Sequence, residues 1–512
     1  MPSVPGPSRR VALARRGWLL AVAALAFAVR LVSVLRGGGL FGRIGYDGSV
    51  YYASASALTR GLLPYRDFLL LHPPGIALAL LPFAALGRLV GDADGFALAR
   101  LAWFGLGALS AALVFTLLRP RGLGPALAGA ACYAVFVPAV TSEHTTSLEG
   151  VGSVCLLGAV ALLVRADGPS RGRTAPLLAA GALVGLSTGT KIWGVALVLA
   201  LVAWAWRRLG ARRAGLLLAG AVGCTVVVCL PFFVAAPGAM WRMVVADQLG
   251  RRRVPASLAQ RVVDTTGLSE VRTGLGTTGP TATTTLALLA LLCLAAVLVL
   301  ALRDPLGRLA GLLLATGAAV LLATPPWSVA YTGLTAPALV LLLGCAAARL
   351  SAYGKVVRRA GAFVVVVGLV LYAELSLPGL TFGSHFPGRS LEQVLAQAPG
   401  CVTTDDPIAL VETGALQRNL DLGCPVVLDA SGYSYDLQPS AGRHLPRPAD
   451  TQWQHFLQAH LAGGATTVVV RFRSATGLSR STVRVIAGWP VVADVGGYLL
   501  RRPVPSRTLP GR

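Results

Sequence analysis

The sequence predicts an α-helical polytopic membrane protein with about eleven transmembrane helices, followed by a small α/β domain outside the membrane. Three observations carry this. Hydrophobic residues make up 55% of the 512-residue chain and charged ones only 13%, where a soluble globular protein carries roughly 25% charged. Apolar segments recur from residue 17 to residue 377, and the short loops assigned to one side are all basic, which is the bias that orients membrane helices. From residue 381 the chain turns polar and reads as short strands alternating with a helix, the pattern of a parallel α/β unit.

Residues 1–16 carry Arg9, Arg10, Arg15 and Arg16, which places them in the cytoplasm and makes 17–35 a retained membrane anchor. The membrane domain then runs over 17–380. Residues 36–98 form an external loop, within which the short apolar run 76–90 is expected to lie on the outer surface. Spans follow at 99–118, 123–140, 148–164, 176–189, 192–206 and 214–234. Arg119, Arg121, Arg165, Arg171, Arg173, Arg207 and Arg208 mark the inner turns. A second external loop covers 237–280, and spans resume at 283–302, 309–323, 332–348 and 360–377. Residues 381–512 form the extracytoplasmic domain, with strands expected at 402–405, 426–429 and 466–470 and a helix at 453–462. The whole is read as a multi-pass plasma-membrane protein, N-terminus in and C-terminal domain out.

Net charge is +24, but no nucleic-acid-binding motif accompanies it, so the arginines are read as membrane-orienting rather than nucleic-acid-binding. No Walker A sequence and no nucleophile elbow occurs, which removes support for ATP-driven transport and serine hydrolysis. The G-x-G-x-x-G match at 274–279 has no preceding strand and lies in an expected external loop, away from nucleotides, so it is set aside. Six of eight cysteines lie in apolar runs. Cys401 and Cys424 each open an expected strand, and are either a disulfide or two buried thiols.

The candidate site residues concentrate in 43–75. Asp47, just outside the first span, is either a general base for an acceptor hydroxyl or a helix cap. Tyr51 is one helical turn beyond it. Lys191, one of two lysines, sits between apolar segments as an interfacial anchor beside Trp193 or as a cation for a lipid phosphate. Arg251, Arg252 and Arg253 form either a phosphate clamp or a headgroup-facing surface. Glu149 enters an apolar run and needs a partner or a wet cavity. Glu143 and His144, with Glu149, are a candidate trio for a divalent metal.

The order of these features resembles the GT-C superfamily of polyprenyl-phosphate-sugar glycosyltransferases, in the bacterial branch similar to protein mannosyltransferases and aminoarabinose transferases. The residues that carry the resemblance are Tyr46-Asp47, Pro64-Tyr65-Arg66-Asp67-Phe68, His72-Pro73-Pro74, Ala99-Arg100-Leu101, Glu149, Gly185-Leu186, Thr190-Lys191 and, further on, Tyr331 and Pro337. It covers about the first 200 residues well; the middle matches mainly in hydropathy and the tail in being external. The resemblance implies a GT-C-like fold in which Asp47 activates the acceptor. The sugar would arrive on a polyprenyl phosphate and be transferred with inversion to an extracytoplasmic glycan, lipid or protein. Tyr46, Tyr51, Tyr65, Asp67, His72, Glu149 and Tyr331 are the expected substrate contacts. Two departures stand out: Gly48 occupies a position where many relatives are acidic, and His72 one where several have Lys. The competing reading is a transporter or flippase of a lipid-linked sugar, although the spans show no inverted repeat.

Overall fold

A computed structural model describes residues 9–167, 174–251, 256–437, 445–472 and 477–504, with side chains from Arg16 onward. Arg171, Arg173, Arg252 and Arg253 lie outside the described residues, as do the side chains of Arg9, Arg10 and Arg15. Each of the eleven predicted apolar segments falls in helix. Among the described residues, seven helices are long and apolar enough to cross a membrane. Leu123–Val135 and Val137–Glu143, bent by 54°, make an eighth if counted together. The break has a local cause: Phe136 takes an extended backbone, and Pro138 follows in the first turn of the second piece, where its missing N–H leaves no bond unmade. Ala175–Thr190, Gly194–Leu209 and Ala336–Ser351 have 16 residues each, short of the roughly 20 that a perpendicular span uses.

Packing divides the chain into two compact units. The first comprises Met1–Arg36, Leu101–Val226 and Val254–Thr381; the second comprises Gly37–Arg100, Val227–Arg253 and Phe382–Arg512. The grouping therefore follows space rather than sequence order.

The first unit is a helical bundle around a core rich in Ala, Leu and Val, among them Ala26, Val114, Leu157, Ala180, Leu201 and Leu342. Small residues let its helices approach closely: a Cβ added at Gly181 or Gly185 would strike the backbone oxygens of Leu217 or Ala221. Several charged side chains here are paired. Arg30 Nε donates to Glu143 Oε2 at 2.9 Å, and Tyr133 Oη donates to Glu143 Oε1 at 2.7 Å. Arg121 Nε donates to Asp304 Oδ2 at 3.0 Å, while Asp304 also caps its helix through the Leu306 N–H at 2.8 Å.

The second unit joins helices Asp47–Leu58 and Gly75–Val90 to the α/β domain. Its sheet contains β1 (Val402–Thr404), β2 (Thr466–Val468), β3 (Val491–Val495) and β4 (Tyr498–Arg501) in the order β1-β2-β4-β3. β1 and β2 are parallel, and β4 pairs antiparallel with both β2 and β3. This corrects the all-parallel expectation, and 426–429 is not a strand. The third and fourth strands are instead a hairpin turning at Gly496 and Gly497, both at positive φ, where Gly-Gly is suited to the turn. Cys401 and Cys424 are joined, with Cα atoms 5.9 Å apart.

Within this unit the C-terminal segment holds the 37–100 segment by polar contacts. Arg43 Nε lies 3.3 Å from Asp406 Oδ2, Arg100 Nη1 lies 3.3 Å from Glu412 Oε1, and Gln417 Nε2 donates to the Gly87 carbonyl at 2.7 Å. Asp405 turns the other way. Its carboxylate accepts the backbone N–H groups of Val470, Arg471 and Phe472 at 2.6, 3.0 and 2.5 Å.

Candidate active site

The site in the second unit begins with a turn. Gly45 has φ +67°, a conformation that Gly adopts without the Cβ penalty. Tyr46 follows as the residue capping helix Asp47–Leu58, and Asp47 is the first helical residue. Asp47 is therefore not the side-chain cap. Its carboxylate is exposed and, among the described residues, accepts no hydrogen bond. The helix N-terminus favours a negative charge there.

The Tyr46 side chain is buried and turned to the C-terminal domain. Its hydroxyl donates to Asp429 Oδ1 at 3.0 Å and accepts the Ser431 N–H at 3.1 Å. Burial, then the Asp429 charge, keeps this phenol well above its ordinary range, so it stays protonated and donates. Asp429 Oδ1 also accepts the Gly432 N–H at 2.7 Å. Burial is the main cause that raises the Asp429 carboxyl, and the nearby Asp47 charge adds to it; Arg251 acts in the opposite direction. Arg251 lies over the Tyr435 ring at 5.0 Å, and Arg471 over the Tyr46 ring at 4.0 Å. Arg447 extends the cluster, its Nη2 donating to Ser431 Oγ at 2.6 Å. The Asp47 charge thus acts on the anchored Asp429 carboxyl, and Arg251 acts on the same group in the opposite sense.

The other expected contacts from 43–75 serve the loop itself. Tyr65, at φ +71°, donates its hydroxyl to the His72 carbonyl at 2.7 Å. Asp67 accepts from Arg66 Nη2 at 2.8 Å and from the Leu63 N–H at 2.7 Å. Tyr51 is buried, its ring edge-on to His72 at 5.8 Å, so it does not share Asp47's exposed face. Gln248, which the sequence did not single out, donates to the Leu71 carbonyl. Asp247 beside it is pushed to about 6, mainly by burial and then by Asp436.

Lys191 belongs to the first unit. Its Nζ lies 2.5 Å from Glu149 Oε1 and over the rings of Trp193 and Tyr331 at 3.7 and 4.1 Å. Glu149 thereby has the partner its apolar surroundings demand. The adjoining cavity has about 20 Å³, room for roughly one water and too small for a phosphate as it stands. The metal trio is corrected. Glu143 is engaged by Arg30 and Tyr133, Glu149 by Lys191, and His144 Nδ1 lies 2.7 Å from the Thr141 carbonyl. Among the described residues no three His, Cys, Asp or Glu side chains are grouped to hold a metal.

Asp429, Arg447 and Arg471 were missed from the sequence. One signal existed: Asp429 ends an apolar run, where ligand-binding residues of α/β domains gather. Its partner Tyr46 is 383 residues away.

The fold is similar to that of several solved structures, among them an oligosaccharyltransferase and an arabinofuranosyltransferase. Among solved structures the chain is similar to ArnT from Cupriavidus metallidurans, both in the apo state (15% identity, TM-score 0.61, covering 96% of this chain and 100% of that one) and bound to undecaprenyl phosphate (18%, 0.58, 97% and 99%). It is also similar to the archaeal oligosaccharyltransferase AglB from Archaeoglobus fulgidus (11%, 0.59, 90% and 70%). The mycobacterial arabinofuranosyltransferase AftD matches at 18% identity and TM-score 0.57, over 97% of this chain and 38% of its own. No family model and no curated protein matches the sequence.

Proposed function

We propose that the protein is a membrane glycosyltransferase that moves a sugar from a polyprenyl-phosphate donor to an extracytoplasmic hydroxyl, with Asp47 as general base. The observation that carries this is the contrast between the two acids of 43–75. Asp67 is engaged by its own loop, whereas Asp47 is open to solvent at the start of a helix. The GT-C fold supports the class, and undecaprenyl phosphate bound to the similar ArnT supports the donor type. Asp47 takes the proton of the acceptor O–H, and that oxygen attacks the anomeric carbon opposite the lipid phosphate. The bond from carbon to phosphate oxygen breaks with its electron pair on the phosphate, inverting the configuration. Arg251 is assigned to the developing phosphate charge. The basic loops support a topology with the C-terminal domain outside the cytoplasm.

The test is Asp47→Asn in the full chain reconstituted with a polyprenyl-phosphate-linked sugar. Turnover should fall roughly 100-fold or more while donor binding persists. Unchanged turnover would remove Asp47 from the chemistry. Lipid-linked sugar crossing the bilayer without transfer, in wild type and variant alike, would favour the flippase reading.

A further inference from the structure

A second carboxylate, Asp429, lies near enough to Asp47 to feel its charge. It comes from the other end of the chain. Asp429 Oδ1 is fixed by two donors, the Tyr46 hydroxyl at 3.0 Å and the Gly432 N–H at 2.7 Å. Its Oδ2 accepts no hydrogen bond among the described residues. Anchoring through one oxygen orients the other. Gly432 keeps room beside that oxygen, since a Cβ there would collide with Oδ2. Oδ2 is not among the described polar atoms sealed from solvent without a partner, so a ligand hydroxyl can reach it.

We propose that Asp429 Oδ2 accepts a hydrogen bond from a second hydroxyl of the acceptor, next to the one that Asp47 deprotonates. The acceptor is then a sugar with neighbouring hydroxyls rather than a lone serine or threonine. This inference rests on the transferase reading of Asp47 and narrows its acceptor to a glycan. The surroundings suit that ligand. Tyr46 supplies the anchoring hydroxyl, and Arg471 and Arg251 lie over the rings of Tyr46 and Tyr435. Two acceptors on separate segments read two hydroxyls at once, and a site built to bond a hydroxyl discriminates strongly against an analogue lacking it.

The experiment uses the full chain in lipid nanodiscs. Binding of a panel of methyl glycosides of hexoses and pentoses, of each singly deoxygenated counterpart, and of a short serine/threonine peptide is measured by saturation-transfer NMR. Sugar transfer is measured in parallel with a polyprenyl-phosphate-linked sugar. In the wild type at least one glycoside should bind roughly 10- to 100-fold better than its deoxy counterpart. Asp429→Asn should bring the two within about twofold, and Asp429→Glu should restore part of the preference. Tyr46→Phe removes one anchor but keeps the carboxylate, so it should give an intermediate ratio; it also covers the case in which Asp429→Asn misfolds. A full preference surviving in Asp429→Asn overturns the proposal. So does a wild type that binds no glycoside, or a peptide that accepts sugar as well as the best glycoside. The underlying reading fails separately, if the wild type transfers nothing or if Asp47→Asn keeps its turnover.

Discussion

At the scale of single residues, the Lys191–Glu149 pair separates two roles that one position can play. Removing one partner of a buried pair leaves an uncompensated charge and costs about 3–5 kcal/mol, whereas replacing both by apolar groups can be neutral. Lys191→Met should therefore destabilise the first unit strongly, and Lys191→Met with Glu149→Leu should recover most of the loss in a thermal-unfolding assay. If Lys191 also contacts the donor phosphate, the stable double variant should still show a donor KM raised roughly tenfold, about 1.4 kcal/mol of lost binding. An unchanged KM would leave the lysine a purely structural role. Both residues were conspicuous in the sequence because a charge in an apolar run demands a reason. Their pairing was not visible, since hydropathy says that a partner is needed without saying which.

At the scale of elements, the contacts between the 37–100 and 382–512 segments respond to pH. Burial raises the Glu412 carboxyl from the ordinary 4.5 to about 8, against the opposing Arg100 charge, and raises Asp406 to about 6, with Asp405 adding to it. A carboxyl raised on folding binds more protons in the folded state. Its contribution is thus full below the unfolded value and declines as pH rises towards the folded one. Hydrogen-exchange protection over 402–421, taken relative to the intrinsic exchange rate at each pH, should accordingly fall between pH 4.5 and 8, and Glu412→Gln should flatten that dependence. The disulfide closes a separation of 23 residues, for which loop entropy gives about 3 kcal/mol. Cys401→Ser should lower the stability of the second unit by about that amount in a denaturant melt. Helices were legible here because hydropathy and length declare them. The sheet was less so: the apolar run 426–429 imitates a strand, while the hairpin at 491–501 announced itself only by Gly496-Gly497.

For the whole molecule, the basic turns predict that the C-terminal domain faces away from the cytoplasm. Arg389→Cys in a chain otherwise free of exposed thiols should react with a membrane-impermeant maleimide in intact cells; labelling only after lysis would reverse the assigned topology. The eleven helical segments could be read from sequence because each is a local property. The candidate site could be read only in half. Asp47 stood out as a carboxylate beyond the first span, but Asp429 and Arg471 join it through packing across hundreds of residues, which no local pattern encodes.

The second unit is assembled from three stretches, with Tyr46 and Asp429 separated by 383 residues and Arg43 and Asp406 by 363. During synthesis the earliest of these stretches emerges long before its last partner exists. Tyr46 and Arg43 must therefore wait, their polar groups met only by solvent, until nearly the entire polypeptide has been made. A ribosome stalled after residue 381 would release a product with the bundle's sequence complete and its acceptor-side chemistry unassembled, vulnerable to proteolysis for as long as the delay lasts.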